Sequence, residues 1–170
     1  MATSSKRCAV GARVTRLLLI HDRDEDANWI RLMLAHSPRG VFHVECSSSV
    51  SEALEYLDSH EMDLVLLESA FPQPEFMETL GRIRNAYPSI PVVVLTNSDD
   101  KTLGIEAVRR GAQDYLVKGK MDSYLLASSL HYAIERKKLE VALGDSIGEW
   151  HATFDAIGNP IFLVDVNGTI

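Results

Sequence analysis

Glu68 closes an unbroken apolar run, Leu64-Val65-Leu66-Leu67, which Asp63 opens and Ser69 follows. A run of this kind between acids has the form of a central strand buried on both faces. The Glu68 carboxylate then stands at the C-terminal edge of a sheet, where open α/β folds place their ligands. Three further runs end on groups that ionise or hydrogen-bond. Leu17-Leu18-Leu19-Ile20 is followed at once by His21-Asp22-Arg23-Asp24-Glu25-Asp26, Pro91-Val92-Val93-Val94-Leu95 ends on Thr96, and Tyr115-Leu116-Val117 ends on Lys118. In a parallel sheet all of these groups gather at one edge.

The segments between the runs must supply the helices that make such a sheet possible. Ala27, Ile30 and Leu34 recur at helical spacing behind acids that suit a helix N-terminus, and Pro38 and Gly40 close that helix. Val41 to Cys46 alternates, with Phe42, Val44 and Cys46 on one face and His43 and Glu45 on the other, as a half-buried strand at a sheet edge does. Ser49-Val50-Ser51-Glu52 has the form of a capping box and opens a helix with Val50, Leu54 and Leu57 as its stripe. Pro72 and Pro74 are expected to hold off the next helix until Glu75; Phe76, Leu80 and Ile83 are its stripe, and Pro88 lies past its end. Asn97 to Asp100 is a polar loop before a helix carried by Leu103, Ala107 and Val108 and stopped by Gly111. Asp122 caps a last helix that holds Leu126, Leu130 and Ala133, and on it His131 reads as a surface residue. Strands alternating with helices in this way predict an α/β fold, a doubly wound five-stranded parallel sheet.

Composition narrows the partners. The 170 residues carry a net charge of -7, with 24% charged and 46% apolar residues. Nucleic acid is not expected, because the basic residues are scattered among acids and do not form the clusters that phosphates require. A membrane is not expected either, since the longest apolar runs fall far short of the roughly 20 residues a spanning helix needs. Cys8 and Cys46 make no disulfide framework, so a reducing cytoplasmic location is the expectation. Residues 1–15 contain Lys6, Arg7 and Arg13 without an apolar stretch and read as a disordered tail, not a secretory signal.

Residues 16–138 resemble the response-regulator receiver domain of two-component signalling. The resemblance rests on the acids after the first run, the acid ending the third strand, Val92-Val93-Val94-Leu95-Thr96, and Gly111-Ala-Gln-Asp-Tyr115-Leu-Val-Lys118-Gly. It implies a flavodoxin-like sheet of order 2-1-3-4-5. It also implies a site in which two acids after strand one and an Asp ending strand three hold Mg²⁺, and that Asp takes a phosphoryl group from a histidine kinase. A Thr and a Lys bind the phosphoryl oxygens, and an aromatic residue reports where the Thr stands. Here Asp22, Thr96, Lys118 and Tyr115 match that pattern.

Two positions depart from it. Glu68 occupies the phosphoacceptor position in place of Asp, and His21 occupies that of the first paired acid. The extra methylene moves the attacking oxygen by on the order of 1 Å, a misplacement that can cost about 10²-fold in rate. A His in the metal shell suits zinc or copper better than Mg²⁺, so Asp22 and Glu68 are expected to bind Mg²⁺ weakly or not at all. Glu68 could pair permanently with Lys118 and act as a partial mimic of the phosphorylated state, supplying about one negative charge where a phosphoryl group supplies roughly two. An alternative for the same two residues is a partly buried ion pair without a switching role. His21 reads as a solvated residue at the strand end, or as a pH-sensitive group beside Asp22.

Leu139, Leu143, Ile147, Trp150 and Phe154 form a further apolar stripe, so residues 139–155 are expected to be a linker or signalling helix through which the chain pairs as a homodimer. Phe154-Asp155-Ala156-Ile157, Pro160 to Asp165 and the Asn167-Gly168 turn resemble the opening of a PAS sensory domain, placing its start at 156–170. The chain is therefore expected to be part of a longer protein. The leading expectation is a non-enzymatic receiver module with Glu68 at its phosphoacceptor position, which acts by protein-protein interaction with histidine kinases or other two-component proteins. A second is a receiver phosphorylated through an acyl phosphate with Mg²⁺, on Glu68 or on a hydroxyl such as Ser69. A third, suggested by Asp22-Arg23-Asp24 after a strand together with Thr96 and Lys118, is a haloacid-dehalogenase-like phosphatase. Its nucleophile would stand where His21 is.

Overall fold

The computed structural model describes residues 14–68, 73–97 and 101–156. Residues 1–13 of the tail expected at 1–15, Ser69, Pro72, residues 98–100 and the PAS-like stretch from 157 onward lie outside the described residues, while Thr15, assigned to that tail, is the first residue of a strand. In chain order the elements are β1 (Thr15–Ile20), α1 (Asp24–Ala35), β2 (Phe42–Ser47), α2 (Val50–Ser59), β3 (Leu64–Glu68), α3 (Gln73–Ala86), β4 (Val92–Thr96), α4 (Lys101–Arg109), β5 (Asp114–Val117), a 3₁₀ turn (Lys118–Lys120) and α5 (Ser123–Ala156). The strands are parallel and pair in the order β2-β1-β3-β4-β5. The doubly wound sheet and its order are those expected.

The two-residue period of the strands sorts the core into two layers. Leu17 and Leu19 of β1, Leu64 and Leu66 of β3, and Val93 and Leu95 of β4 pack with Ala27, Ile30 and Leu34 of α1 and with Leu126, Leu130 and Ala133 of α5. Their neighbours Leu18, Ile20, Val65, Leu67, Val92 and Val94 face the other way, onto Leu57 of α2, Phe76, Leu80 and Ile83 of α3, and Ala107 of α4. Every residue of β3 and β4 is buried, as a strand covered on both faces must be. β2 is the half-buried edge, and β1 starts at Thr15, two residues ahead of its apolar run.

Local details correct some of the sequence expectations. α3 starts at Gln73 and takes Pro74 into its first turn, where the missing N–H has no intrahelical partner to lose. The Ser49 hydroxyl accepts from the Glu52 N–H at 3.2 Å, but the Ser49 N–H is turned to Ser47 Oγ at 3.4 Å, so one half of the capping box is made. Val108 is 42% exposed, because α4 turns Ala107 and Gly104 to the core instead. His131 is half-buried, its ring edge-on to Phe42 at 5.2 Å between centroids. Gly111, just past α4, has φ +100, the left-handed geometry that lets a helix end there.

Two compact units divide at Lys137 and Lys138. In the second, the described backbone is helical through Ala156, and Leu139 and Leu143 are 71% and 65% exposed. Among the described residues no helix is long and apolar enough to cross a membrane.

Candidate functional site

The register of the sheet brings the strand-end groups together. Leu67 and Glu68 of β3 lie beside Val94 and Leu95 of β4, and Thr96 lies beside Val117, so Glu68, Thr96 and Lys118 reach the same edge. His21 and Asp22 follow β1, whose Ile20 is paired with Leu67. By strand alternation Glu68 shares the face of Leu64 and Leu66, the layer covered by α1, whereas Thr96 shares the face of Val92 and Val94. That difference decides which neighbours each side chain meets.

Glu68 is 1% exposed, and its Oε1 accepts a hydrogen bond from Lys118 Nζ. Lys118 Nζ also lies 2.7 Å from Asp26 Oδ1, with only 10% of its side chain exposed. One ammonium therefore bridges two carboxylates from β3 and α1. The other carboxylate oxygen of Glu68, Oε2, is buried with no hydrogen-bond partner among the described residues. Burial pushes the Glu68 carboxyl up to about 7; the Lys118 ammonium opposes this, and the Asp26 charge adds to it. Burial also disfavours ionised Asp26, but the hydrogen bond and charge of the Lys118 ammonium act against it, and that carboxyl is held below its ordinary range.

Asp26 was not singled out in the sequence, where it reads as one of several acids at a helix start. The available signal was its place in the first turn of α1, directly after the strand-end residues His21 and Asp22. Asp22 is more open: its side chain is 32% exposed, with Arg23 Nε at 4.0 Å. Tyr115 is half-buried on the opposite face among the α2, α3 and α4 residues, and its ring lies against the backbone of Gly104. Thr96 is buried at the end of β4.

His21 is not solvated, contrary to that reading. Its backbone N–H continues the β1–β2 ladder to Ser47 O at 3.1 Å, which draws the residue into the sheet and leaves it 3% exposed. Its Nδ1 is buried without a hydrogen-bond partner among the described residues.

The group the resemblance implies, Mg²⁺, fits the donors present. Asp22, Asp26 and Glu68 each offer a carboxylate oxygen, all within 4.8 Å of one another, and hard oxygens of this kind are what the ion takes. The buried Glu68 oxygen, unpartnered among the described residues, fits the same donor set. When bound, such an ion neutralises charge on the oxygens of an approaching phosphoryl group. The nucleophile that chemistry requires is an ionised, reachable carboxylate oxygen. Glu68 instead is buried, keeps its proton up to higher pH and has one oxygen committed to Lys118.

Comparison with known proteins places these observations. The sequence pattern of the response regulator receiver domain matches residues 17–130. A two-component response regulator of Oryza sativa subsp. japonica, ORR1, is 32% identical over 117 residues, which cover 64% of this chain and 51% of the rice protein. The transcriptional regulatory protein ZraR of Klebsiella oxytoca is 29% identical over 116 residues, 68% of this chain and 26% of the relative. The chain thus matches about half, or less, of these relatives' lengths. Among solved structures, the signal receiver domain of an HD domain-containing protein from Pseudomonas fluorescens Pf-5 is 28% identical, with a TM-score of 0.61 over 74% of this chain and 98% of that one. A CheY-like receiver domain protein from Methanospirillum hungatei JF-1 shares the fold at 18% identity, with a TM-score of 0.63 over 75% of this chain and 99% of that one.

Proposed function

This chain belongs to the response regulator receiver family of two-component systems, and from that premise we propose that its receiver signals through protein contacts without accepting a phosphoryl group. The observation that carries the reading is the bridge from Lys118 to both Glu68 and Asp26. In the resemblance the Lys meets the phosphoryl oxygens; here carboxylates of the chain itself already engage it. Where Glu68 ionises, above about pH 7, it would supply the partial charge mimic expected of it, about half the charge a phosphoryl group would bring. Tyr115, half-buried and packed over Gly104 of α4, is placed as a ring turned inward would be.

Receivers are signalling modules, and the family match favours this over a phosphatase of the haloacid-dehalogenase kind. The partners in this reading are a histidine kinase or other two-component proteins, and a second copy of the chain joined through residues 139–155. Residues 156–170 would then begin a PAS domain. The site residues are Glu68 at the phosphoacceptor position, His21 and Asp22 in the acidic pocket, and Thr96, Tyr115 and Lys118 as the switch.

Intact mass after incubation with Mg²⁺ and a small phosphodonor is the test. No stable adduct is expected on this chain, while His21→Asp combined with Glu68→Asp should gain one. A single adduct mapped to Glu68 or Ser69 would instead establish a phosphorylatable receiver.

A further inference from the structure

We propose that Asp26, in the first turn of α1, is the third carboxylate of a divalent-cation site with Asp22 and Glu68, standing in for the acid that His21 replaces. This rests on the receiver reading above and assigns a ligand within its pocket. Among the described residues the acids placed to hold a cation together are Asp22, Asp26 and Glu68, and the His21 ring is not part of that group. One oxygen from each acid lies within 4.8 Å of the others. In an octahedral Mg²⁺ shell at about 2.1 Å, ligand pairs stand roughly 3.0 to 4.2 Å apart, so small side-chain movements close three positions and water can complete the rest.

One observation beyond the acid cluster's presence points to a ligand. Glu68 Oε2 is buried without a hydrogen-bond partner among the described residues, a costly arrangement that metal coordination would relieve. Among the described residues Lys118 is shared by Glu68 and Asp26, and Asp22 meets the exposed Arg23 at 4.0 Å, so a divalent ion would add the charge that draws the three oxygens together. Asp26 is placed to serve because Glu68 faces the α1 layer, and Lys118 already draws the Asp26 carboxylate toward it at 2.7 Å. Imidazole at position 21 would suit a softer ion, whereas the set with Asp26 is all oxygen and selects Mg²⁺ or Mn²⁺.

Mn²⁺ binding to the full chain, followed by electron paramagnetic resonance with Mg²⁺ as competitor, tests the assignment. One saturable Mn²⁺ displaced by Mg²⁺ is expected, and Asp26→Asn should weaken it by at least about tenfold, as loss of even an outer-shell partner commonly does. Because Asp26→Asn could act by freeing Lys118 alone, the second variant adds His21→Asp to it. A carboxylate returned at position 21 should restore binding, which a merely structural role for Asp26 would not allow. The inference falls if the parent chain holds no Mn²⁺, if Asp26→Asn binds as the parent does, or if the added Asp fails to rescue. Absence of Mn²⁺ together with absence of a phosphoryl adduct would remove the cation site and keep the receiver reading. An adduct on Glu68 would overturn that reading while leaving the Mn²⁺ result to stand by itself.

Discussion

A carboxylate at the end of a central strand has two ways to exist: solvated and ionised, or buried and either paired or protonated. Glu68 combines the buried states, with one oxygen on Lys118, the other without a partner among the described residues, and a carboxyl pushed up to about 7 by burial first of all. Folding therefore raises its proton affinity above the ordinary value of 4.5. The stability it contributes is complete below that value and is lost as pH rises through about 7. Without divalent ions, thermal melts from about pH 5 to 8 should show the parent losing stability relative to Glu68→Gln, which keeps the length and cannot ionise. Parallel pH curves for the two proteins would mean that Lys118 holds Glu68 ionised throughout. The identity of Glu68 as the edge residue was legible from its apolar run; its link to Asp26 through Lys118 was not, because spacing along α1 says nothing of how far the helix lies from β3.

Elements carry the same lesson in their packing. A glycine inside a helix is ordinarily about 0.5–1 kcal/mol worse than alanine, so Gly104→Ala by propensity alone would stabilise α4. In the fold a Cβ at Gly104 would lie 2.5 Å from the Tyr115 ring. The expected outcome is a loss of about 1–3 kcal/mol, typical of overpacking, with a changed near-ultraviolet circular dichroism or NMR signature for Tyr115. A more stable variant with an unchanged Tyr115 signal would show that the ring yields freely. The hydrophobic stripes of α1, α3 and α5 were readable because their period is imposed by the sheet they cover. α4 was misread at Val108, since only the neighbouring Tyr115 ring explains why Gly104 and Ala107, and not Val108, face inward.

At the scale of the whole molecule, Leu139 and Leu143 leave large apolar side chains in solvent on the helical second unit. Apolar surface of this kind on a helix is what a helix-to-helix interface buries. Light scattering is expected to find a dimer for the chain, and Leu139→Glu with Leu143→Glu should shift it to monomer without altering the melt of the first unit. A monomeric parent would assign the two leucines to a partner other than a second copy.

The sequence by itself determined the alternation of strands and helices, the burial of β3 and β4, and which polar groups end the strands, because those properties follow from the periods of an isolated element and from the chemistry of each residue type. Only the tertiary structure decided that His21 is covered, that Lys118 bridges to Asp26 as well as Glu68, and that Asp22, Asp26 and Glu68 converge. The physical reason is the same in each case. Burial and electrostatic pairing depend on distances between elements, which the sheet register and the packing of α1 against it establish, and no local pattern encodes those distances.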